Sequence, residues 1–272
     1  GISMKKNAES EFVYQLFALL FSVIIVHAVY VTVIRPNAAV VIEQQQAQYL
    51  AGTPVSTERS IYVVLKDYEQ ETCFILMAWS LLIMGYKARD LLNEKRVLSN
   101  ALLKVQEGMS IFPEDARDLS RPLQALPIEQ QQMLLPRTLL MALKRFSATS
   151  SVAAVATAIK DLCDSEADRL DSELAMIRYI SWAIPSIGFI GTVRGIGDAL
   201  GQAHKAVEGD IIGVTNSLGV AFNSTFIALV ISIFIMFFTH QLQLLQERLV
   251  LNTQDYCDKN LLNYLKTPDG DK

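Results

Sequence analysis

The sequence predicts an all-α integral membrane protein with four transmembrane helices, some of them extending as long helices into the cytoplasm. Three observations carry that expectation. Of the 272 residues, 51% are hydrophobic, and the mean hydropathy of +0.28 is high for a soluble chain. Four long apolar runs are spaced along the chain, and between the second and third lies a stretch rich in Lys and Arg.

Composition also excludes several classes. The net charge is −4 and no basic run is long enough to grip nucleic-acid phosphates. Cys73, Cys163 and Cys257 form no C-x-x-C pair and are expected to be inert fillers. There is no G-x-x-x-x-G-K-[ST] and no H-E-x-x-H, and His27, His204 and His240 are too scattered for a metal site. The chain is therefore read as a non-enzyme without a cofactor. Gly1-Ile2-Ser3 ahead of Met4 reads as added sequence, with Met4 the expected start.

The first span is expected at 12–34, where 23 residues carry no Asp, Glu, Lys or Arg before Arg35-Pro36. That length of helix crosses a hydrocarbon core of about 30 Å, and the run is too long for a cleaved leader and lacks an A-x-A-like exit. The second span is shorter, 72–86, with Lys87 and Arg89 placed to snorkel to the interface. The third is 179–203 and the fourth 211–240. Thirteen Lys and Arg lie between Lys87 and Arg178, against three between Arg35 and Lys66, which puts residues 87–178 in the cytoplasm as a helical domain. Residues 1–11 and the helical tail 241–272 fall on the same side, leaving a loop at 35–71 and a turn at 204–210 outside.

Within the cytoplasmic stretch, 87–107 reads as a continuation of the second span. Pro113, Pro122, Pro127 and Pro136 forbid one regular helix over 109–136 and predict a linker with short helical pieces. From Ser151, helical spacing of Val152, Val155, Ile159, Leu162, Leu170, Leu174 and Ile177 predicts one long helix running into the third span, kinked at Pro185.

The last two spans are unusual in their small residues. Ser181, Pro185, Gly188, Thr192, Gly195 and Ala199 share one face of the third, and Ser217, Ala221, Ser224 or Thr225, Ala228 and Ser232 one face of the fourth. Lipid gives no reward for small side chains, so such faces pack on other helices or border a cavity. Close packing through Gly191-x-x-x-Gly195 and Gly197-x-x-x-Gly201 accounts for the pattern, and so does a pore lining.

The segments "PSIGFIGTVRGIGDAL" and "GVAFNSTFIALVISIFI" resemble the last two membrane helices of the MotA/TolQ/ExbB superfamily over roughly residues 150 to 250. Four spans with both ends inside look like the MotA branch, whereas Gly191-Thr192-Val193 looks like TolQ and ExbB. The resemblance implies a pentameric ring in the bacterial inner membrane. That ring would surround two copies of a MotB/TolR/ExbD-like partner whose single span carries an ion-binding aspartate. It also implies that Thr192 and Thr225 face that aspartate, that Pro185 is the family's proline below them, and that Gly188, Ala221, Ser224 and Ala228 belong to the same ion pathway. A hydroxyl suits the task, since it donates to a carboxylate and accepts from a carboxylic acid. One departure stands out: TolQ and ExbB carry a glutamate five residues before the second threonine, where this chain has Val220.

Arg194 and Asp198 lie one turn apart in the third span and are expected to pair, because an unpaired Arg at mid-membrane costs roughly 2.5 to 3.5 kcal/mol. His27 is expected to be a packed or lipid-edge residue. Two functions follow: an ion-conducting energising subunit of a membrane motor, with the proton as the expected ion, or a non-conducting oligomeric scaffold that anchors a cytoplasmic partner. Hydroxyls on the packed faces of both final spans favour the first.

Overall fold

The computed structural model describes residues 2–55, 59–100, 102–106 and 108–267, with side chains described from Glu9 onward. Gly1 and residues 268–272, the extremes of the two expected cytoplasmic ends, lie outside the described residues. The described chain is helical apart from its connections and one isolated parallel bridge between Ile111 and Leu265. It divides into two units, Gly1–Gly85 with Met176–Thr239 and Tyr86–Ala175 with His240–Lys272.

Four helices are long and apolar enough to cross a membrane, within Glu9–Leu50, Tyr68–Ser99, Val152–Gly201 and Ile212–Tyr264. The first apolar run ends at Arg35-Pro36, but the helix does not. Helix α1 (Ile2–Val29) passes through a π turn at Tyr30–Ile34 into α2 (Arg35–Leu50). Proline lacks the N–H that would bond four residues back, and its ring would press on that carbonyl. The wider turn just before it, closed by Arg35 N–H donating to Tyr30 O, takes up the mismatch and lets the helix continue.

After the short α3 (Ile61–Leu65), α4 (Tyr68–Ser99) returns antiparallel to α1. Tyr14 Oη donates to Leu82 O at 3.1 Å, Trp79 Nε1 to Gln15 O at 2.9 Å, and His27 Nδ1 meets Glu71 Oε1 at 2.6 Å, so residue numbers run in opposite directions along the contact.

Helices α9 (Ala175–Gly201) and α11 (Ile212–Asn260), joined through the small α10 (Ala203–Val207), supply the remaining candidate spans. Gly209, at φ +98°, makes the reversal between α10 and α11 in a conformation that disfavours any side chain. Directions alternate along the chain, so in the first unit the segment around Arg35, Glu69 and Arg194 forms one end and that around Gly85, Met176 and Thr239 the other.

In the second unit, α4 runs on to Ser99, and the proline-punctuated stretch forms α5 (Ala116–Gln124) and α6 (Ile128–Gln131) before α7 (Leu134–Thr149). Pro136 falls in the first turn of α7, where its missing N–H leaves no bond unmade. Helix α8 (Val152–Ser172) follows a turn at Ser150, and Ser151 caps it by accepting the N–H of Ala154 at 3.2 Å. Leu123, Leu139, Leu143, Phe146 and Val155 are fully enclosed and form the core. Buried Glu166 holds Arg137 at 2.7 Å and Arg169 at 2.6 Å.

The long helix expected from Ser151 into the third span is present as the run Val152–Gly201, with one interruption. Residues 173 and 174 form a turn between α8 and α9. Asp168, Asp171 and Glu173 place negative charge against the carbonyl end of α8, where the helix dipole disfavours it. The apolar spacing crosses the turn unchanged, with Leu174, Ile177, Ile180 and Ile184 all fully buried, which is why the pattern alone reads as unbroken.

Candidate functional site

Helices α9 and α11 cross so closely that three positions on α9 have no room for a side chain. A Cβ on Gly188 would lie 2.5 Å from Ala228 Cβ, one on Gly191 2.5 Å from Ser224 Cβ, and one on Gly195 2.5 Å from the backbone nitrogen of Ala221. The small residues of the two spans therefore make a glycine seam. Gly188, Ala221, Ser224 and Ala228 are buried in it, so within one chain their size serves close approach of the helices. Gly191-x-x-x-Gly195 belongs to the seam. Gly197 and Gly201 do not, since nothing lies within 4 Å of where their side chains would start.

Thr192 and Thr225 sit at the margin of the seam, half-buried, and their hydroxyls hydrogen-bond to each other. Thr192 Oγ1 also reaches Ala221 O at 3.1 Å, while Thr225 Oγ1 reaches Gly188 O at 3.1 Å. Ser224, deeper in, donates to Ala221 O at 3.1 Å within its own helix. The result is a pair of hydroxyls from two helices brought to one point. While it donates to its carbonyl, each hydroxyl keeps a lone pair that can accept from outside, and on releasing the carbonyl it can donate its one proton outward instead. Pro185 lies one turn before Gly188, half-buried inside α9.

The ion pair expected between Arg194 and Asp198 is the looser of two. Arg194 holds Glu69, in the first turn of α4, through a two-pronged contact, Nε to Oε1 at 2.7 Å and Nη2 to Oε2 at 2.9 Å. Asp198 Oδ2 stands 3.8 Å from Nη1. The preference is geometric: a planar guanidinium matches both oxygens of a carboxylate approached edge-on, which a residue on the next turn of the same helix does not offer.

His27 likewise has a specific partner. Its Nδ1 meets Glu71, whose second carboxylate oxygen binds Arg35. The Arg35 guanidinium also lies over the rings of Tyr30 and Tyr68, at 5.2 and 4.6 Å. Glu69 and Glu71 are both buried, and at the start of α4 they meet the positive end of the helix dipole. Neither belongs to a recognisable sequence motif. Their only local signal is two carboxylates in the first turn of a helix whose continuation is apolar. Cys73, Cys163 and Cys257 are buried and free, and among the described residues no group of His, Cys, Asp and Glu could hold a metal ion.

No curated protein and no solved structure matches the chain. A family match does exist, and it covers a little under half of the sequence, from α6 into the far part of α11. Residues 130–255 of this membrane protein, which include two of its four candidate spans and both helices of the glycine seam, match the MotA/TolQ/ExbB proton channel family, the superfamily its two motifs resemble.

Proposed function

We propose that this chain is the ion-conducting subunit of a membrane energiser, working as a homopentamer around two copies of a MotB/TolR/ExbD-like partner whose single span carries an aspartate. The observation that carries this reading is the Thr192–Thr225 hydroxyl pair, set at the open margin of a seam otherwise closed by glycine, alanine and serine. A scaffold needs the seam but has no use for two hydroxyls turned to its edge. The ion is the proton, following the family matched. A membrane potential supplies about 2.3 kcal/mol per elementary charge per 100 mV, sufficient for a gated step without nucleotide. The acidic ion carrier belongs to the partner, because Val220 stands where TolQ and ExbB have a glutamate.

Four spans place the segments before the first and after the last on one side of the bilayer. The excess of Lys and Arg over residues 87–178 supports the cytoplasm as that side, and the family matched supports a bacterial inner membrane. Thr53, in the turn after α2, is then outside and Ser120, on α5, inside. A membrane-impermeant thiol reagent applied to intact cells should modify Thr53→Cys and spare Ser120→Cys. Labelling of the second position would reverse the orientation.

The function itself is tested by proton uptake into vesicles holding the purified subunit with and without a one-span aspartate partner, alongside native mass spectrometry. Potential-driven uptake only with the partner present, from a five-to-two assembly, is expected. A stable monomer or dimer that never conducts would favour the scaffold.

A further inference from the structure

Thr192 can meet Thr225 only if α9 is held at the right rotation, because one residue of slip turns a helix by about 100° and would carry the hydroxyl off the seam. The seam fixes one side of α9. On the other side the structure shows a second fixture, which ties Arg194 to a residue outside the two sequence motifs.

The stem of Glu69 lies across α9 at Gly191. A Cβ there would be 3.2 Å from Glu69 Cγ as well as 2.5 Å from Ser224 Cβ, so α4, α9 and α11 meet at the residue next to Thr192. From that crossing the Glu69 carboxylate reaches Arg194 in the two-pronged contact of 2.7 and 2.9 Å. Arg194 is two residues beyond Thr192, hence about 200° around the helix. A single-point contact would leave α9 free to turn about it, whereas two parallel N–H···O bonds fix direction as well as distance. Glu69 is itself buried and cannot follow a rotating partner. Farther along the same two helices, the Cys73 thiol approaches Ile184 O at 3.7 Å, which extends the antiparallel contact of α4 with α9.

We propose that Glu69 and Arg194 are positioning residues for the hydroxyl pair: the fork between α4 and α9, anchored by the buried Glu69 carboxylate, sets the rotation of α9 that brings Thr192 onto Thr225. This rests on the reading of that pair as the ion-facing site, but its test does not require ion flux. In a background with Cys73, Cys163 and Cys257 replaced by alanine, Thr192→Cys with Thr225→Cys should form a disulfide readily under copper catalysis in membranes. At matched abundance, Glu69→Gln or Arg194→Gln should slow that cross-linking about tenfold, in the range of coupling between contacting groups. Arg194→Lys, which keeps the charge and loses the fork, should slow it too, and it stands in for Arg194→Gln should that variant fail to accumulate.

The exchanged pair, Glu69→Arg with Arg194→Glu, should recover cross-linking above either single variant. With Thr192 and Thr225 intact, the same exchange should recover proton flux. A merely structural pair would lower abundance without changing the rate at which the surviving protein cross-links. Parental cross-linking rates in Glu69→Gln and Arg194→Gln, an exchanged pair no better than the single variants, or no cross-link in the parent would overturn the proposal. Cross-linking that follows the charges while flux ignores Thr192 and Thr225 would uphold the positioning and refute the ion-facing reading instead.

Discussion

Thr192→Val combined with Thr225→Val should abolish most ion-driven work while leaving the protein in the membrane at near-normal abundance. Valine keeps the branched shape of threonine, and the carbonyls of Gly188 and Ala221 that lose a hydroxyl lie in helices. The structural loss is therefore small, about 0.5 to 1.5 kcal/mol per hydrogen bond. The functional loss is larger, because a partner carboxylate deprived of a hydrogen bond to its charged form loses about 1.5 to 3 kcal/mol, a factor of roughly 10 to 150. Thr225→Ser retains the hydroxyl and should keep much of the activity. The measurement is motor output in the native host, normalised to membrane abundance of this subunit. Normal output from the double variant at normal abundance would make the threonines packing residues and favour the scaffold.

The second large effect is on assembly of the fold, and the glycines separate it into two classes. Gly195→Leu should be close to a null through loss of protein, because its first side-chain carbon would already stand 2.5 Å from the Ala221 nitrogen and 2.6 Å from Ser217 O. Both obstacles are backbone, so relief requires the helices to part. Overpacking by single methylenes costs about 1 to 3 kcal/mol where side chains can yield, and here they cannot. Gly197→Ala, two residues on and about 200° around the helix with nothing within 4 Å, should be neutral or mildly stabilising. Retention of the folded form in graded SDS should rank the variants in that order. Gly195→Leu protein as resistant as the parent would mean that the seam opens without penalty.

What the sequence disclosed and what it hid divide along physical lines. The four spans were legible because the bilayer demands about 20 apolar residues from each helix, a requirement met locally. The close approach of Thr192 to Thr225 was legible because each lies in a small-residue face with helical spacing, whereas an ion-facing role for them comes from the family resemblance alone. The run of helix past Arg35-Pro36 was not, since it depends on a π turn that leaves no compositional mark. The turn at residues 173 and 174 was hidden by apolar spacing that continues through it. Glu69 and Glu71 were hidden more deeply. "KDYEQE" reads as a solvated approach to a span, and only the folded chain shows that Glu69 meets a guanidinium 125 positions away. Asp198 was named as the partner of Arg194 because it was the nearest carboxylate along the helix; the tighter bond goes to the one with the better approach.

The parallel bridge between Ile111 and Leu265 bears on synthesis. Ile111 N–H donates to Tyr264 O at 2.8 Å and Ile111 O accepts from Lys266 N at 2.9 Å, so the pairing cannot close until those residues leave the ribosome. Cys257 and Leu261, both fully enclosed, also arrive late. Between the two pieces of that unit, Tyr86–Ala175 and His240–Lys272, the ribosome makes most of the third and fourth spans. At about 5–20 residues per second this interval lasts roughly 3 to 13 s, during which the first piece waits with part of its apolar surface uncovered. Translation thus delivers the last two spans to the bilayer before the charged helical unit has the strand of chain that completes it.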